Sequence, residues 1–367
     1  MKKHNKHAKI AKPSGGKFHK EEWAILGAPC SVINSLAQAI NSALKLNLAY
    51  IDEDHSPSEE HLPFQGLYRN RISHIQYSSK YKTNEYNWRA ILRAYDGALI
   101  NGNHYVAQKQ IVIIHKDKKE SLLKKLDRLT DVRMILLADS EKEVWDFVQT
   151  HCGDAVPIFE LKESNKIAEL LKNEITASKA PLSGLVFAGG KSSRMGEDKS
   201  LIDYHGMSML KYSASLLEKH VDKVIISTAT GINSDSQMPD LFSGLGPYGA
   251  LLTWFRNNPN SAVITLPCDT PLVDQELIEE LISARDSSKM ATCFHNPETN
   301  FPEPLITIWE PRAYSYLLEF LALGYSCPRK VLINGPIKEI HTKNSEKLVN
   351  ANTPEERKII SERLNQT

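Results

Sequence analysis

Short apolar, β-branched runs alternate along this chain with stretches whose apolar positions recur every three or four residues. The first pattern fits strands and the second fits amphipathic helices. In the first half, strands are predicted at Trp23–Leu26, Leu48–Ile51, Ile72–Tyr77, Gly97–Ile100, Ile111–His115, Val132–Ala138 and Val156–Phe159. Helical spacing predicts Ile33–Leu44, Lys119–Leu129, Glu141–Gln149 and Ser164–Glu174. The small, polar, proline-containing stretch Thr176–Ser183 then reads as a linker. From Gly184 the alternation restarts, with strands at Leu185–Phe187, Val224–Ser227, Ala262–Leu266, Met290–Phe294 and Leu305–Trp309. Helices are expected over Ser208–His220, Gly249–Asn257, Asp274–Arg285 and Pro311–Leu323. No repeat relates the halves. The expectation is an α/β protein of two domains, each a mostly parallel sheet with helices on both faces. Its boundaries would be a disordered basic tail over 1–20, a first domain over 21–176, a linker over 177–183 and a second domain over 184–367.

Composition narrows the function classes. The 367 residues carry 45 Lys+Arg against 44 Asp+Glu, so the chain lacks the strongly basic balance of a nucleic-acid binder. No run is long and apolar enough for a membrane helix. The five cysteines are scattered and never spaced CxxC, which speaks against a disulfide framework or a zinc ribbon and fits a reducing cytoplasm. The first twenty residues hold seven lysines and no acid or apolar core. They read as a solvated tail rather than a signal peptide, or else as a tether for an anionic partner.

The candidate chemistry lies in the second half. After the strand ending at Phe187 comes Ala188-Gly189-Gly190-Lys191-Ser192-Ser193-Arg194-Met195-Gly196-Glu197-Asp198-Lys199. Glycines after a strand let backbone N–H groups approach phosphate oxygens, while Arg194 and Lys199 offer a planar fork and a point charge. The spacing is neither GxGxxG nor GxxxxGK[ST]. By itself such a loop is equally well a charged surface turn. Leu266-Pro267-Cys268-Asp269-Thr270-Pro271 sets a carboxylate just past a strand, where open α/β sheets bind ligands and a hard cation finds an oxygen donor. Asp before Thr-Pro is also ordinary turn chemistry.

Together these strings resemble the molybdenum cofactor guanylyltransferases, within the wider nucleotidyltransferase superfamily. The loop matches LAGGxSxRMGxDK except that Phe187 replaces the opening Leu, and Cys268-Asp269-Thr270-Pro271 resembles the family's CDxP metal motif. Gly244–Ala250 is similar to its GPLAG stretch near the nucleotide base, and Asp240 matches an acid that contacts guanosine. Asn350-Ala351-Asn352-Thr353-Pro354-Glu355-Glu356 resembles the NxNTPEE segment, whose asparagines belong to the pterin side. Thr353 and Glu356 there read as a helix start. The stretch Phe301–Pro304 matches a substrate-facing loop only loosely. The resemblance spans about residues 181–363 and implies a Rossmann-like nucleotidyltransferase domain. It implies Mg²⁺-dependent transfer of GMP from GTP to molybdopterin with release of pyrophosphate. Asp269, Lys199 and Arg194 would be catalytic, and Asp269 would also hold the metal. Phe187, Ala188, Gly189, Gly190, Lys199, Asp240 and Asp269 would bind nucleotide, and Asn350 and Asn352 the acceptor. Ser227 stands where the family often has Asn, and Gly189-Gly190 favours guanine over cytosine. The alternatives are a nucleotidyltransferase using CTP or another phosphorylated acceptor, and a non-catalytic cofactor carrier.

In the first half, Gly27–Ser35 follows a strand and opens a helix, as a P-loop would. The positions for its second Gly, Lys and hydroxyl hold Val32, Ile33 and Asn34, so phosphate and Mg²⁺ contacts are missing. Asp52–His55, Gly97–Gly102 and Val156–Glu160 nevertheless resemble the adapter GTPase of molybdopterin-guanine dinucleotide synthesis, with Asn101 replacing an acid. This implies a P-loop-NTPase-like domain in degenerate form over roughly 22–176. It would bind GTP weakly or not at all and serve in packing or in handling the cofactor. Molybdoenzymes or other cofactor-biosynthesis proteins are the further partners this suggests.

Overall fold

The computed structural model describes residues 10–44, 46–53, 65–81, 83–188, 199–228, 234, 236–351 and 353–364. Arg194, Gly189, Gly190 and Asn352 therefore lie outside the described residues, as does the side chain of Lys199. Contacts divide the chain into two compact units, residues 15–178 and residues 179–367 with 1–14.

The unit over 15–178 contains β1 (Glu22–Leu26), α1 (Cys30–Ala43), β2 (Leu48–Ile51), β3 (Gly66–Asn70), β4 (Ile75–Ser79), α2 (Glu85–Leu92) and β5 (Gly97–Asn101). It continues with β6 (Lys109–Ile114), α3 (Lys119–Leu123), β7 (Val132–Leu137), α4 (Asp146–Cys152), β8 (Ile158–Glu160) and α5 (Ser164–Ala177). Six strands form one parallel sheet in the order β2-β5-β1-β6-β7-β8. Alternation along β1 sends Trp23 and Ile25 into a core with Ile33, Leu36 and Ile40 of α1 and Ile167 and Leu171 of α5. Ala24 and Leu26 face the other way, toward clusters that hold Leu92 of α2, Leu122 of α3 and Val148 of α4. Both faces of the sheet are thus covered. The strand expected at Ile72–Tyr77 is instead a turn followed by β4, paired antiparallel with β3. The helix expected over Lys119–Leu129 is broken into α3 and one 3₁₀ turn over Leu126–Arg128, and another 3₁₀ turn over Lys116–Lys118 leads into it.

The disordered tail expected over 1–20 is corrected at its inner end. Phe18 is only 1% exposed and meets Trp88 and Tyr105 edge-on. Its backbone is clasped by the buried Glu22 carboxylate, which accepts from the N–H groups of Lys17, Phe18, His19 and Gln108 at 3.0, 2.7, 3.0 and 2.9 Å. A single carboxylate, whose partners are invisible in the sequence, turns a lysine-rich segment into part of the fold. Further out, Ser14 N donates to Asn260 Oδ1, and residues 10–14 group with the second unit.

That second unit contains β9 (Leu182–Phe187), α6 (Met209–Glu218), β10 (Val224–Thr228), β11 (Gln237–Pro239), α7 (Pro247–Asn257), β12 (Ala262–Pro267), α8 (Gln275–Ser283) and β13 (Ala291–Asn296). It ends with β14 (Phe301–Trp309), α9 (Ala313–Ala322), α10 (Pro328–Asn334), β15 (Ile337–Ile340) and α11 (Pro354–Leu364). Its seven-stranded sheet has the order β11-β10-β9-β12-β14-β13-β15, and only β14 runs antiparallel to its neighbours. The sheet carries a core on each side. One is built with Tyr248, Leu251, Trp254 and Phe255 of α7 and Leu317 of α9, the other with Leu217 of α6 and Leu277, Ile278 and Leu281 of α8. The linker expected over 177–183 is shorter, because Ala177 closes α5 while Leu182 and Ser183 already pair with Ala262 and Val263 in β12.

Candidate functional site

From β9 the chain moves through α6 to β10 on one side, whereas β12 lies on the other. The C-terminal end of β9 is therefore a topological switch point, where open α/β sheets leave a crevice for ligands. Among the described candidates, Phe187, Ala188, Asp240, Asp269 and Asn350 lie toward this edge. Phe187 is the last residue of β9, with its ring in the core, so it can offer a ligand only backbone. Ala188 N donates to Ser227 O at 3.1 Å. That N–H extends the β9–β10 ladder, which corrects the expectation that it faces a phosphate.

Where the glycine-rich loop returns to the described structure, it is fastened to the loop after β12. A 3₁₀ turn over Lys199–Leu201 leads to His205, whose Nε2 is 2.8 Å from Pro271 O and whose ring stacks on Tyr212 at 3.7 Å. Tyr212 in turn donates to Val273 O at 2.9 Å. Ser208 then caps α6 by accepting from Lys211 N.

Asp269 stands two residues beyond β12. Its carbonyl accepts from Ala351 N at 2.7 Å, which brings Asn350 to the same edge as the carboxylate. The segment is held by a reciprocal cap at the start of α11, where Thr353 N donates to Glu356 Oε2 and Glu356 N to Thr353 Oγ1. Both residues are structural, as their sequence context indicated.

Asp240 reaches the same edge from beyond β11. Its N–H donates to Thr228 O at 3.0 Å, and Ser227 Oγ donates to its Oδ1 at 2.6 Å. Burial raises its carboxyl above the usual range, with the Ser227 hydrogen bond opposing. The Ser227 hydroxyl thus positions an acid. In the loop before α7, Gly244 and Gly246 take positive φ, and a Cβ on Gly249 would lie 2.3 Å from Phe242 O. Tyr248 is fully buried there and belongs to the core.

Sequence reasoning missed three participants and left a fourth, Glu303, only loosely placed. Because β14 runs antiparallel to β12, its first residues fall at the strand end that carries Asp269. Continuing the register of Thr265 opposite Thr307 brings Glu303 level with Asp269. Glu303 is 8% exposed, accepts from Asn296 Nδ2 at 3.1 Å and Leu305 N at 3.2 Å, and is raised by burial against those hydrogen bonds and Arg329. Arg329, Tyr204 and Arg357 had no sequence signal. Tyr204 interacts electrostatically with Arg357 and Asp269, and its hydroxyl is buried without a partner among the described residues.

The residues fit a hard divalent cation. Asp269 is a half-exposed oxygen donor with a second carboxylate nearby, and Mg²⁺ takes one or two carboxylates with phosphate oxygens filling the rest. Among the described residues no group of three or more His, Cys, Asp or Glu side chains is arranged around one ion.

A family model described as MobA-like NTP transferase domain matches residues 184–336. Residues 184–336 of this chain are therefore similar to MobA-like NTP transferase domains. A molybdenum cofactor biosynthesis bifunctional protein of Synechocystis is 30% identical over 200 residues, covering 53% of this chain and 58% of that protein. A molybdenum cofactor guanylyltransferase of Pseudomonas putida is 28% identical over 183 residues, covering 48% of this chain and 95% of its own. The solved molybdopterin-guanine dinucleotide biosynthesis protein A of Archaeoglobus fulgidus is similar at 17% identity and a TM-score of 0.42, over 51% of this chain and all of that one. The family match begins two residues into β9 and ends after α10, so the matched region contains the β9 switch point, Asp240, Asp269 and Glu303. No described helix is long and apolar enough to cross a membrane.

Proposed function

We propose that the chain transfers GMP from GTP to the terminal phosphate of molybdopterin and releases pyrophosphate. The observation that carries this reading is the placement of Asp269, Asp240 and the stem of the glycine-rich loop along one edge of the seven-stranded sheet, within the region that matches the MobA-like NTP transferase domain. In the reaction an acceptor phosphate oxygen bonds to the α-phosphorus of GTP, and the bond from that phosphorus to the bridging oxygen breaks. Pyrophosphate leaves with the electron pair. The acceptor is already anionic, so charge neutralisation and alignment carry most of the acceleration.

Asp269, with Glu303 beside it, would hold Mg²⁺, which when bound supplies positive charge against the triphosphate. Asp240, held by Ser227, would accept from the guanine edge. Lys199 and Arg194 are assigned the departing pyrophosphate, Gly189 and Gly190 the close backbone approach, and Asn350 and Asn352 the acceptor. The Tyr204 hydroxyl, buried without a partner among the described residues, and Arg357 would contact the acceptor beside Asp269.

For residues 15–178 we infer a P-loop-like ancestry with the phosphate site lost. The strand carrying the Gly27–Cys30 turn lies inside a parallel sheet of order β2-β5-β1-β6-β7-β8, yet Val32, Ile33 and Asn34 occupy the phosphate-binding positions.

The test is pyrophosphate release by the full chain with Mg²⁺ and molybdopterin, comparing GTP, CTP, ATP and UTP. Release with GTP is expected, and Asp269→Asn should lower it by about 10²-fold or more. Release with CTP alone would keep the chemistry and overturn the base. Undiminished turnover in Asp269→Asn would overturn the catalytic assignment.

A further inference from the structure

The unit over 15–178 holds a polar cluster that nucleotidyl transfer does not use. It lies at the C-terminal edge of the parallel sheet beside β1, where the strand order departs in both directions. Cys30, the first residue of α1, is exposed there. Its Sγ lies 3.4 Å from His104 Nε2 and accepts from Asn103 Nδ2 at 3.6 Å. The same imidazole nitrogen stands 3.7 Å from Asp52 Oδ1.

The partners are themselves held. Asn103 Nδ2 also donates to Ala28 O at 3.0 Å, which fixes the amide between the turn and the sulfur. Asp52 accepts from Asn101 Nδ2, the Tyr50 hydroxyl and Glu53 N, each at 2.8 Å. Burial acts to raise the Asp52 carboxyl, but these hydrogen bonds and His104 outweigh it and keep it low. Lys125 closes the rim, donating to Asn103 O at 3.3 Å and interacting electrostatically with Cys30, and Arg128 donates to Gly102 O at 3.3 Å. A nucleophile, an adjacent base and a carboxylate that stabilises the protonated base form the constellation of an activated thiol. The other cysteines differ in access: Cys293 is buried, Cys152 and Cys268 are half-buried, and Cys327 is exposed.

The geometry points to Cys30 as a reactive thiol that exchanges with small anionic disulfides to form a mixed disulfide. His104 Nε2 accepts the thiol proton, and the Cys30 sulfur bonds to one sulfur of the incoming disulfide. The S–S bond breaks, and the departing sulfur keeps its electron pair and takes the proton from His104. The small disulfide is the oxidant, so no further reactant is required. Asp52 stabilises the transient imidazolium, the Asn103 amide steadies the sulfur, and Lys125 and Arg128 favour a carboxylate-bearing reagent.

The test uses the full chain with excess 5,5′-dithiobis(2-nitrobenzoate), followed by release of the coloured thiolate. Oxidised glutathione and cystamine then serve as anionic and cationic reagents of one reaction type. One fast equivalent is expected, on the order of tenfold faster than any other thiol, mapped to Cys30 by peptide mass spectrometry and absent in Cys30→Ser. His104→Gln should slow it about fivefold or more, and Asp52→Asn, a milder change, should slow it less. Lys125→Gln should reduce the preference for oxidised glutathione over cystamine. An unreactive Cys293 shows that each variant remains folded. A fast equivalent that persists in Cys30→Ser, a rate indifferent to both His104→Gln and Asp52→Asn, or equal rates with the two reagents would overturn the assignment.

Discussion

Glu22 offers a quantitative test of how the lysine-rich segment becomes part of the first unit. Replacing it with alanine removes the acceptor for four backbone N–H groups, one of them the buried Phe18 N–H at 2.7 Å. The protein has two responses. If the segment stays docked, four donors lose hydrogen bonds to a charged group worth about 1.5–3 kcal/mol each, a loss of roughly 6 kcal/mol or more. If the segment peels away, its donors recover water, but burial of Phe18 is lost at about 2–3 kcal/mol. Gln108 N then remains without an acceptor, at about 1–3 kcal/mol. Peeling is cheaper, so it sets the expected cost at about 4 kcal/mol. Glu22→Gln keeps one acceptor oxygen and turns an NH₂ group toward two donors, for roughly half that loss. The assay is urea denaturation of the full chain, with hydrogen exchange resolving peptides from residues 15–26 and, as an internal reference, from β12. The β12 peptides should be unchanged while the 15–26 peptides lose protection. A cost below about 1 kcal/mol for Glu22→Ala, with Phe18 still protected, would refute the clasp. Gly16→Ala should mimic the loss, because its Cβ would lie 1.7 Å from Glu22 Oε1 and that oxygen is pinned.

Other outcomes follow from the same geometry. Arg285 donates to both oxygens of the buried Glu310, at 2.6 and 3.0 Å, and to Ala180 O at 2.7 Å. Arg285→Ala should cost the second unit about 3–5 kcal/mol in a melting experiment, and pairing it with Glu310→Met should recover much of that. Ser227→Ala should raise the KM for GTP more than it changes kcat, because it releases Asp240 without touching the reacting phosphates. Burial raises the Asp240 carboxyl, so it protonates earlier on acidification than an ordinary aspartate. GTP affinity should therefore weaken as pH falls through its folded value, and Asp240→Asn should flatten that profile. The linkage to folding has the opposite sense: this group's contribution is fully present below its unfolded value and is lost as pH rises through the folded one. Gly27→Ala should destabilise residues 15–178 by roughly 3 kcal/mol on thermal unfolding, since φ is +91° and the new Cβ would lie 2.2 Å from Ile113 O.

Much of the site was legible because its residues sit in local strings. Asp269 directly after an apolar strand and Asp240 before a glycine-rich turn are both readable without knowing any distant partner. Glu303 was harder to read, since nothing local says that β14 runs antiparallel and brings its start beside Asp269. Tyr204, Arg329 and Arg357 reach the site through packing, and their sequence neighbourhoods resemble any surface. Ser227 reads in sequence as a lost contact. In the structure its hydroxyl, 2.6 Å from Asp240, holds the acid in place.

The sequence by itself determined the two α/β halves, most strands and helices, and the loop and carboxylate of the candidate site. Hydrophobic periodicity and short motifs encode what lies within a dozen residues. Only the tertiary structure decided that Ala188 spends its N–H on the sheet and that Phe18 is clasped by Glu22. It likewise brought Cys30, His104 and Asp52 to one strand edge. Each of these depends on which strands become neighbours. Strand order is fixed by the packing of whole helices against both faces of a sheet, and no local stretch of chain carries that information.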